Sequence, residues 1–132
     1  MHCHTDPNAP HWSADLVNEA SRARNNGQVG SRLVNETGEY RIWLIEIKPG
    51  ERLSFHTHVL NYFWVATSAG QARSRNLDGR VVEVDYAPGD TRHMHFGPGE
   101  FMTHDLENIG STVLSFTTVE DKRSPNQPLL LD

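Results

Sequence analysis

The stretch KPGERLSFHTH, residues 48–58, joins a turn signal to a strand signal. In the turn, Pro49 fixes φ at the second position and Gly50 accepts a positive φ at the third. The residues that follow predict a strand, on which His56 and His58 lie two positions apart. Their side chains therefore leave the same face, about 6.5 to 7 Å apart at the backbone. Two imidazoles placed in this way can chelate one metal ion, and a surface His-x-His pair is the alternative interpretation.

Beyond residue 27 the chain repeats this pattern of short apolar or β-branched runs separated by turn residues. A second Pro-Gly turn lies at Pro88-Gly89, and Asp78-Gly79 is a hairpin signal. Short strands at such regular spacing indicate an all-β sandwich or barrel. The predicted strands cover residues 31–35, 40–47, 53–58, 60–68, 71–76, 81–86, 91–96, 101–106 and 112–119.

The two ends of the chain differ from its middle. Residues 1–13 contain Pro7 and Pro10 and show no regular period, which indicates a loosely attached arm. Ser13 is placed to cap a short helix that ends by residue 24. We therefore expect an N-terminal arm and short helix over residues 1–27, a β-barrel over 28–122 and an extended C-terminal tail over 123–132.

Length and composition restrict the class of protein. A chain of 132 residues has room for one domain with one core. The net charge is −5 and the 12 Lys and Arg residues are scattered, so we expect no nucleic-acid partner. We expect no membrane partner and a cytoplasmic location, because the chain lacks a long apolar run and its start lacks a signal-peptide pattern. Cys3 is the only cysteine, so the fold must be stabilised by its apolar core rather than by an internal disulfide.

Two motifs between residues 50 and 110 resemble those of the cupin superfamily. The first is found at Gly50, His56, His58 and Gly70, and the second at residues 88–90, His104 and residues 108–110. The resemblance implies a double-stranded β-helix, which is a jelly-roll barrel. It also implies that His56, His58 and His104 bind one divalent metal ion inside that barrel.

The chain departs from the cupin pattern at two places. The usual fourth ligand is a glutamate, and Phe63 occupies its position. The second motif also has more residues than usual between Asp90 and His104. We therefore expect a three-histidine site, near which Asn61 and Tyr62 could reach the metal or a bound water.

The resemblance favours a non-heme metal-dependent enzyme. Three neutral histidines leave the charge of the ion uncompensated and coordination positions open, which suits a chelating anionic substrate. Three-histidine iron cupins include dioxygenases, so Fe(II) is favoured, with Mn, Ni or Zn as alternatives, and the expected substrate is a small polar or aromatic acid. Two other hypotheses stay open: a metal-dependent lyase, isomerase or decarboxylase, and a non-catalytic ligand-binding or sensory protein.

Other residues have two interpretations each. The catalytic residues stay open, with Tyr62, His93 and Glu100 as candidates, and candidates for the substrate pocket are Phe63, His95 and Met102. His93 and His95 repeat the His-x-His spacing, so they are either a second metal pair or a substrate-facing or partly exposed pair, which, if inward, could act in acid-base catalysis. Glu100 is either a replacement for the missing carboxylate or a solvated loop residue.

Three further features have a structural and a functional interpretation. Arg73 and Arg75 alternate on one predicted strand, either binding a substrate carboxylate or lying exposed on the outside. The segment from His2 to His4 resembles a metal motif, although a terminal arm seldom holds a specific site. The arm and the apolar tail at residues 129–131 could cover sheet edges across a two-fold axis, which predicts a homodimer.

Overall fold

The computed structural model describes residues 12–131 and, ahead of them, a short strand at His2–Thr5. The described residues form one helix and ten strands. In chain order these are β1 (His2–Thr5), α1 (Ala14–Arg22), β2 (Arg32–Glu36), β3 (Tyr40–Ile47), β4 (Arg52–His58), β5 (Asn61–Ala66), β6 (Gly70–Arg75), β7 (Val81–Tyr86), β8 (Thr91–Met94), β9 (Met102–Asn108) and β10 (Leu114–Asp121).

The strands form two five-stranded sheets in which all neighbouring strands are antiparallel. One sheet, here the β4 sheet, has the order β1-β7-β6-β9-β4, and the other, the β5 sheet, has the order β2-β3-β10-β5-β8. Ile45, Ile47, Leu114 and Phe116 of the β5 sheet pack with Ala72 of the β4 sheet in the core between them. The predicted all-β jelly roll is confirmed.

The Pro-Gly turns adopt the backbone conformation that the sequence predicts. Gly50 has φ of 83° and Gly89 has φ of 90°, values that disfavour residues with a side chain. The amide of Gly50 donates to the carbonyl of Asn108 at 3.1 Å. This turn therefore attaches the start of β4 to the end of β9, the two strands that carry the three histidines.

Helix α1 covers the outer side of β4. The Ser13 side chain caps it by accepting from the amide of Leu16 at 3.3 Å. Ala20 and Ala23 pack on Phe55, and the hydroxyl of Thr57 donates to the carbonyl of Ala23 at 2.7 Å. Phe55 and Thr57, on the outward face of β4, are thus covered by the helix.

The two termini contact the barrel of their own chain. Strand β1, which the sequence pattern does not predict, pairs with β7 from His2 opposite Asp85 to Thr5 opposite Val82. At the other end, Arg41 donates to the carbonyl of Leu129 at 2.9 Å. Homodimer formation through these segments stays a prediction. Within the described residues, no helix has the length and apolarity that a membrane crossing requires.

Candidate metal centre

Strands β4 and β9 bring the three predicted histidine ligands together. His56 lies directly opposite His104 in their antiparallel register, and His58 lies opposite Met102. The centroids of the imidazole rings are 4.7 Å apart for His56 and His104, 5.0 Å for His56 and His58, and 5.1 Å for His58 and His104. His56 and His58 are only 2% and 3% exposed, and His104 is half-buried. Residues far apart in the sequence therefore meet at one point inside the barrel.

Hydrogen bonds determine the tautomers of two of these histidines. Nδ1 of His56 lies 2.8 Å from the carbonyl oxygen of Ser54, which can only accept, so Nδ1 carries the proton. The Ser74 hydroxyl donates to the carbonyl of Asp105 at 2.8 Å, so it accepts from Nδ1 of His104 at 3.2 Å. In both rings the free lone pair is therefore on Nε2, and a partner behind the ring orients it as in many metal-binding histidines.

His58 differs from the other two histidines. Its Nε2 lies 3.2 Å from Nε2 of His104, and its Nδ1 is buried without a hydrogen-bond partner among the described residues. Two bonds of about 2.1 Å to one ion, at angles of 90° to 110°, place two nitrogens about 3.0 to 3.4 Å apart. The separation therefore suits two ligands of a single ion, and together the three histidines can hold a metal ion.

The environment keeps all three imidazoles neutral. Burial lowers the pKa of His56 to about 4, although its hydrogen bond to Ser54 acts in the opposite direction. Burial also holds the pKa values of His58 and His104 well below the ordinary value, and the neighbouring imidazoles lower them further. Because only a neutral imidazole offers a lone pair, the site is ready to bind a cation at neutral pH.

The histidines line a cavity of about 60 Å³ whose other walls are mainly apolar. Trp64, Tyr86 and Phe116 contact one another edge to face, with centroids 4.9 to 5.6 Å apart. No charged side chain is present among the described lining residues. The lining consists of Val29, Ile45, Leu53, His56, His58, Tyr62, Trp64, Tyr86, His104, Leu106, Phe116 and Thr118.

The alternation of β5 separates Tyr62 from Phe63. Tyr62 faces inward, is 7% exposed and stacks on His58, with centroids 4.0 Å apart and planes 15° apart. Burial raises its pKa above the ordinary value. Phe63 points to the other face, where its ring contacts His93 at 5.1 Å. The structure thus places Tyr62 in the cavity lining and Phe63 outside it. Phe63 was expected in the pocket because it occupies the position of the family's glutamate.

Other predicted site residues also lie outside the cavity lining. His93 and His95 are exposed, on β8 and just after it. Glu100 is exposed and accepts from the amide of Gly97 at 2.5 Å, so it closes its own turn. Met102 is half-buried opposite His58. The side chains of His2, Cys3 and His4 lie outside the described residues.

Asn61 and the two alternating arginines are engaged elsewhere. The Asn61 side chain accepts from the amide of Phe96 at 2.7 Å. Arg75 pairs with Asp105 at 2.8 Å and with Glu107 at 2.7 Å. Arg73 pairs with Glu83 at 3.0 Å. Since neither arginine lines the cavity, neither is placed to bind a substrate carboxylate there.

Sequence reasoning missed Ser74 and Glu120. Ser74 lies on β6 at an inward position, and only the strand register would have marked it as a partner of His104. Glu120 is an inward carboxyl on β10 that is 3% exposed and accepts from the Trp43 indole N–H at 2.7 Å. Burial raises its pKa to about 7. The alternation of β10 was the available signal, because it places Phe116, Thr118 and Glu120 on one face.

Comparisons with known proteins support the fold. No protein-family model matches the chain, and no curated protein matches it. A cupin domain from Bordetella pertussis Tohama I superposes with a TM-score of 0.60 at 19% identity, over 69% of this chain and 90% of that one. An RmlC-like cupin family protein from Methanocaldococcus jannaschii gives 0.55 at 19% identity, over 68% and 76%. A protein with a double-stranded β-helix domain from Klebsiella pneumoniae gives 0.55 at 23% identity, over 86% and 90%.

The chain therefore has the cupin fold, a double-stranded β-helix, as the two sequence motifs had indicated. Inside that fold, the three histidines lie close enough together to hold a metal ion.

Proposed function

We propose that the protein is a metal-dependent enzyme, of the dioxygenase type, that acts on a small acid with an aromatic or apolar body. The observation that carries the proposal is the cavity, where three neutral imidazoles meet a wall of apolar and aromatic side chains. Fe(II) is the favoured ion, with Mn, Ni or Zn as alternatives. A divalent ion held by three neutral ligands supplies a Lewis acid with open positions and, as Fe(II), a one-electron redox couple.

Different residues of the chain would bind the metal ion and the substrate. Ser54 and Ser74 orient His56 and His104 from behind. Trp64, Tyr86 and Phe116 line the cavity, where their rings would face the apolar part of a small substrate and exclude water from it. The described lining residues include no arginine or lysine, so among them a substrate anion would find its positive partner in the metal ion held by the neutral histidines. A phosphate ester, with several charged oxygens, would leave some of them unpaired against an apolar wall.

Metal and oxygen measurements test this proposal. The metal content of the purified protein is measured first, and metal-free protein is then loaded with Fe(II), Mn, Ni or Zn. Oxygen uptake is recorded with a panel of small aromatic acids, diketones and thiols. The expected result is uptake with one redox-active metal and one substrate class, lost in His104→Ala. Product formation without oxygen uptake would favour a lyase, isomerase or decarboxylase instead.

A non-catalytic ligand-binding or sensory protein is the second candidate. It is favoured by the lack of any carboxylate among the described lining residues, where many metal enzymes place a general base. In that case a small aromatic acid would bind to the metal-loaded protein and be recovered unchanged. Wild-type protein that binds none of the four metals would contradict the dioxygenase and the lyase, isomerase or decarboxylase, and would favour a non-catalytic ligand-binding or sensory protein.

A further inference from the structure

The three histidines are held in two different ways. His56 and His104 each donate Nδ1–H to an oxygen behind the ring, from Ser54 and Ser74 respectively. The corresponding atom of His58 has no partner among the described residues, although it is fully buried. A hydrogen bond at that atom normally fixes the rotation of a ligating imidazole. The orientation of His58 must therefore come from another contact.

The contact that is present is the ring of Tyr62. The two rings lie nearly parallel, at 15°, with centroids 4.0 Å apart. The other two imidazoles meet His58 edge on, at 75° and 72°, so they limit its position more than its plane. Tyr62 is itself held, because its strand pairs with β10 on one side and with β8 on the other.

We propose that Tyr62 is a positioning residue for His58 and that it acts through its ring rather than its hydroxyl. Its face keeps the His58 imidazole in the plane that directs Nε2 toward Nε2 of His104. Turning that plane would move the lone pair of His58 away from the point shared by the three rings. The inference rests on the proposed metal site and adds the residue that completes its geometry.

The experiment compares metal affinity in metal-free wild type and three variants. Zn(II) affinity is measured by competition with a chelating dye, and Co(II) is added to record its visible absorption. Tyr62→Phe keeps the ring and should bind within about twofold of wild type. Tyr62→Leu removes the ring and should bind about 10- to 100-fold more weakly, the usual range for an outer partner of a metal ligand, with an altered Co(II) spectrum.

The matched control is Phe63→Leu, the same loss of a ring one residue along the strand. Phe63 contacts His93 outside the cavity, so affinity and spectrum should be unchanged. Circular dichroism checks that each variant is folded, and Tyr62→Met, which fills the space without a ring, replaces Tyr62→Leu if the latter fails to fold.

Several results would overturn the inference. Wild-type affinity and spectrum in Tyr62→Leu would show that the stack positions nothing. Equal weakening in Tyr62→Phe and Tyr62→Leu would assign the effect to the hydroxyl. Wild-type protein that binds neither ion would remove the metal site and this inference together, whereas the first two results would leave the metal site in place.

Discussion

Two His-x-His pairs with the same spacing have opposite surroundings in this protein. His56 and His58 lie on β4, opposite β9, and His93 lies on β8, opposite Phe63. Both strands are at the edge of a sheet. The first pair is buried beside a third histidine, whereas His93 and His95 are exposed. Spacing therefore places two side chains on one face, and the neighbouring strands decide whether that face is a site.

The largest difference expected between the two pairs is in stabilisation by metal. A ligand that binds only the native state stabilises it by about 4.1 kcal/mol at a thousand times Kd. For Zn(II) this corresponds to a rise in Tm of roughly 15 °C for a domain of this size. His104→Ala should abolish the rise, because it removes one of the three converging nitrogens. His93→Ala should leave it intact. Scanning calorimetry with Zn(II) and with a chelator measures both.

Loss of the Zn(II)-induced rise in Tm in His93→Ala, but not in His104→Ala, would contradict the assignment of the metal site to the buried histidines. Equal melting temperatures of wild type with chelator, iron and zinc would instead contradict a metal site of any kind.

The second difference is in the response to acid. The pKa of His56 is about 4 in the folded state, against about 6.5 in the unfolded chain. Between these pH values His56 binds more protons in the unfolded state than in the folded state. The contribution of neutral His56 to the free energy of unfolding is therefore fully present above about pH 6.5 and is lost as the pH falls toward 4. The loss that His56 alone causes is roughly 3 kcal/mol at 1.36 kcal/mol per pKa unit. Urea unfolding of chelator-treated protein at pH 7 and pH 4 measures it.

Variants assign this acid response to one pair. His56→Gln should make the profile shallower without abolishing it, because His58 and His104 also have lowered pKa values, and His93→Gln should leave it unchanged. Glu120 changes the free energy of unfolding in the opposite direction with pH, because its pKa is raised to about 7 in the folded state. Its contribution to that free energy is lost as the pH rises from about 4.5 to 7. That slope is common to all variants and cancels when they are compared. A profile that His56→Gln does not alter would contradict the burial argument.

A smaller effect is expected from the partner behind His104. Ser74→Ala removes the hydroxyl that accepts from Nδ1 of His104, so metal affinity should fall about 10- to 100-fold. Ser21→Ala removes a hydroxyl on the helix surface and should leave affinity unchanged. Isothermal titration with Zn(II) measures both, and equal affinities would show that Ser74 does not orient the ligand.

Much of this arrangement follows from local sequence. Pro49-Gly50 and Pro88-Gly89 require turns whichever strands they join, and His56 and His58 must share a face if residues 52–58 are extended. The position of His104 came from the resemblance to cupins, since no local rule links residues almost fifty positions apart. The structure then places it directly opposite His56.

The sequence did not predict the register of each strand or which elements pack on its faces. A shift of one residue exchanges the two faces of a strand, which is why Phe63 was expected in the pocket that Tyr62 occupies. Ser74 was missed for the same reason. The packing of α1 on Phe55 depends on tertiary contacts that its own residues do not encode. Strand β1 was missed because its stability comes from pairing with β7 rather than from an alternating pattern of its own.

The smallest expected effect tests this difference of register directly. Phe63→Glu places a carboxylate at the position where cupins usually have their fourth ligand. If that position faced the histidines, the anion would neutralise part of the ion's charge and tighten binding. Phe63 instead lies opposite His93, on the face away from the cavity. We therefore expect the Zn(II) affinity of Phe63→Glu to stay within about twofold of wild type. Tighter Zn(II) binding in Phe63→Glu would mean that the register of β5 is shifted by one residue, so that Phe63 rather than Tyr62 faces the metal site.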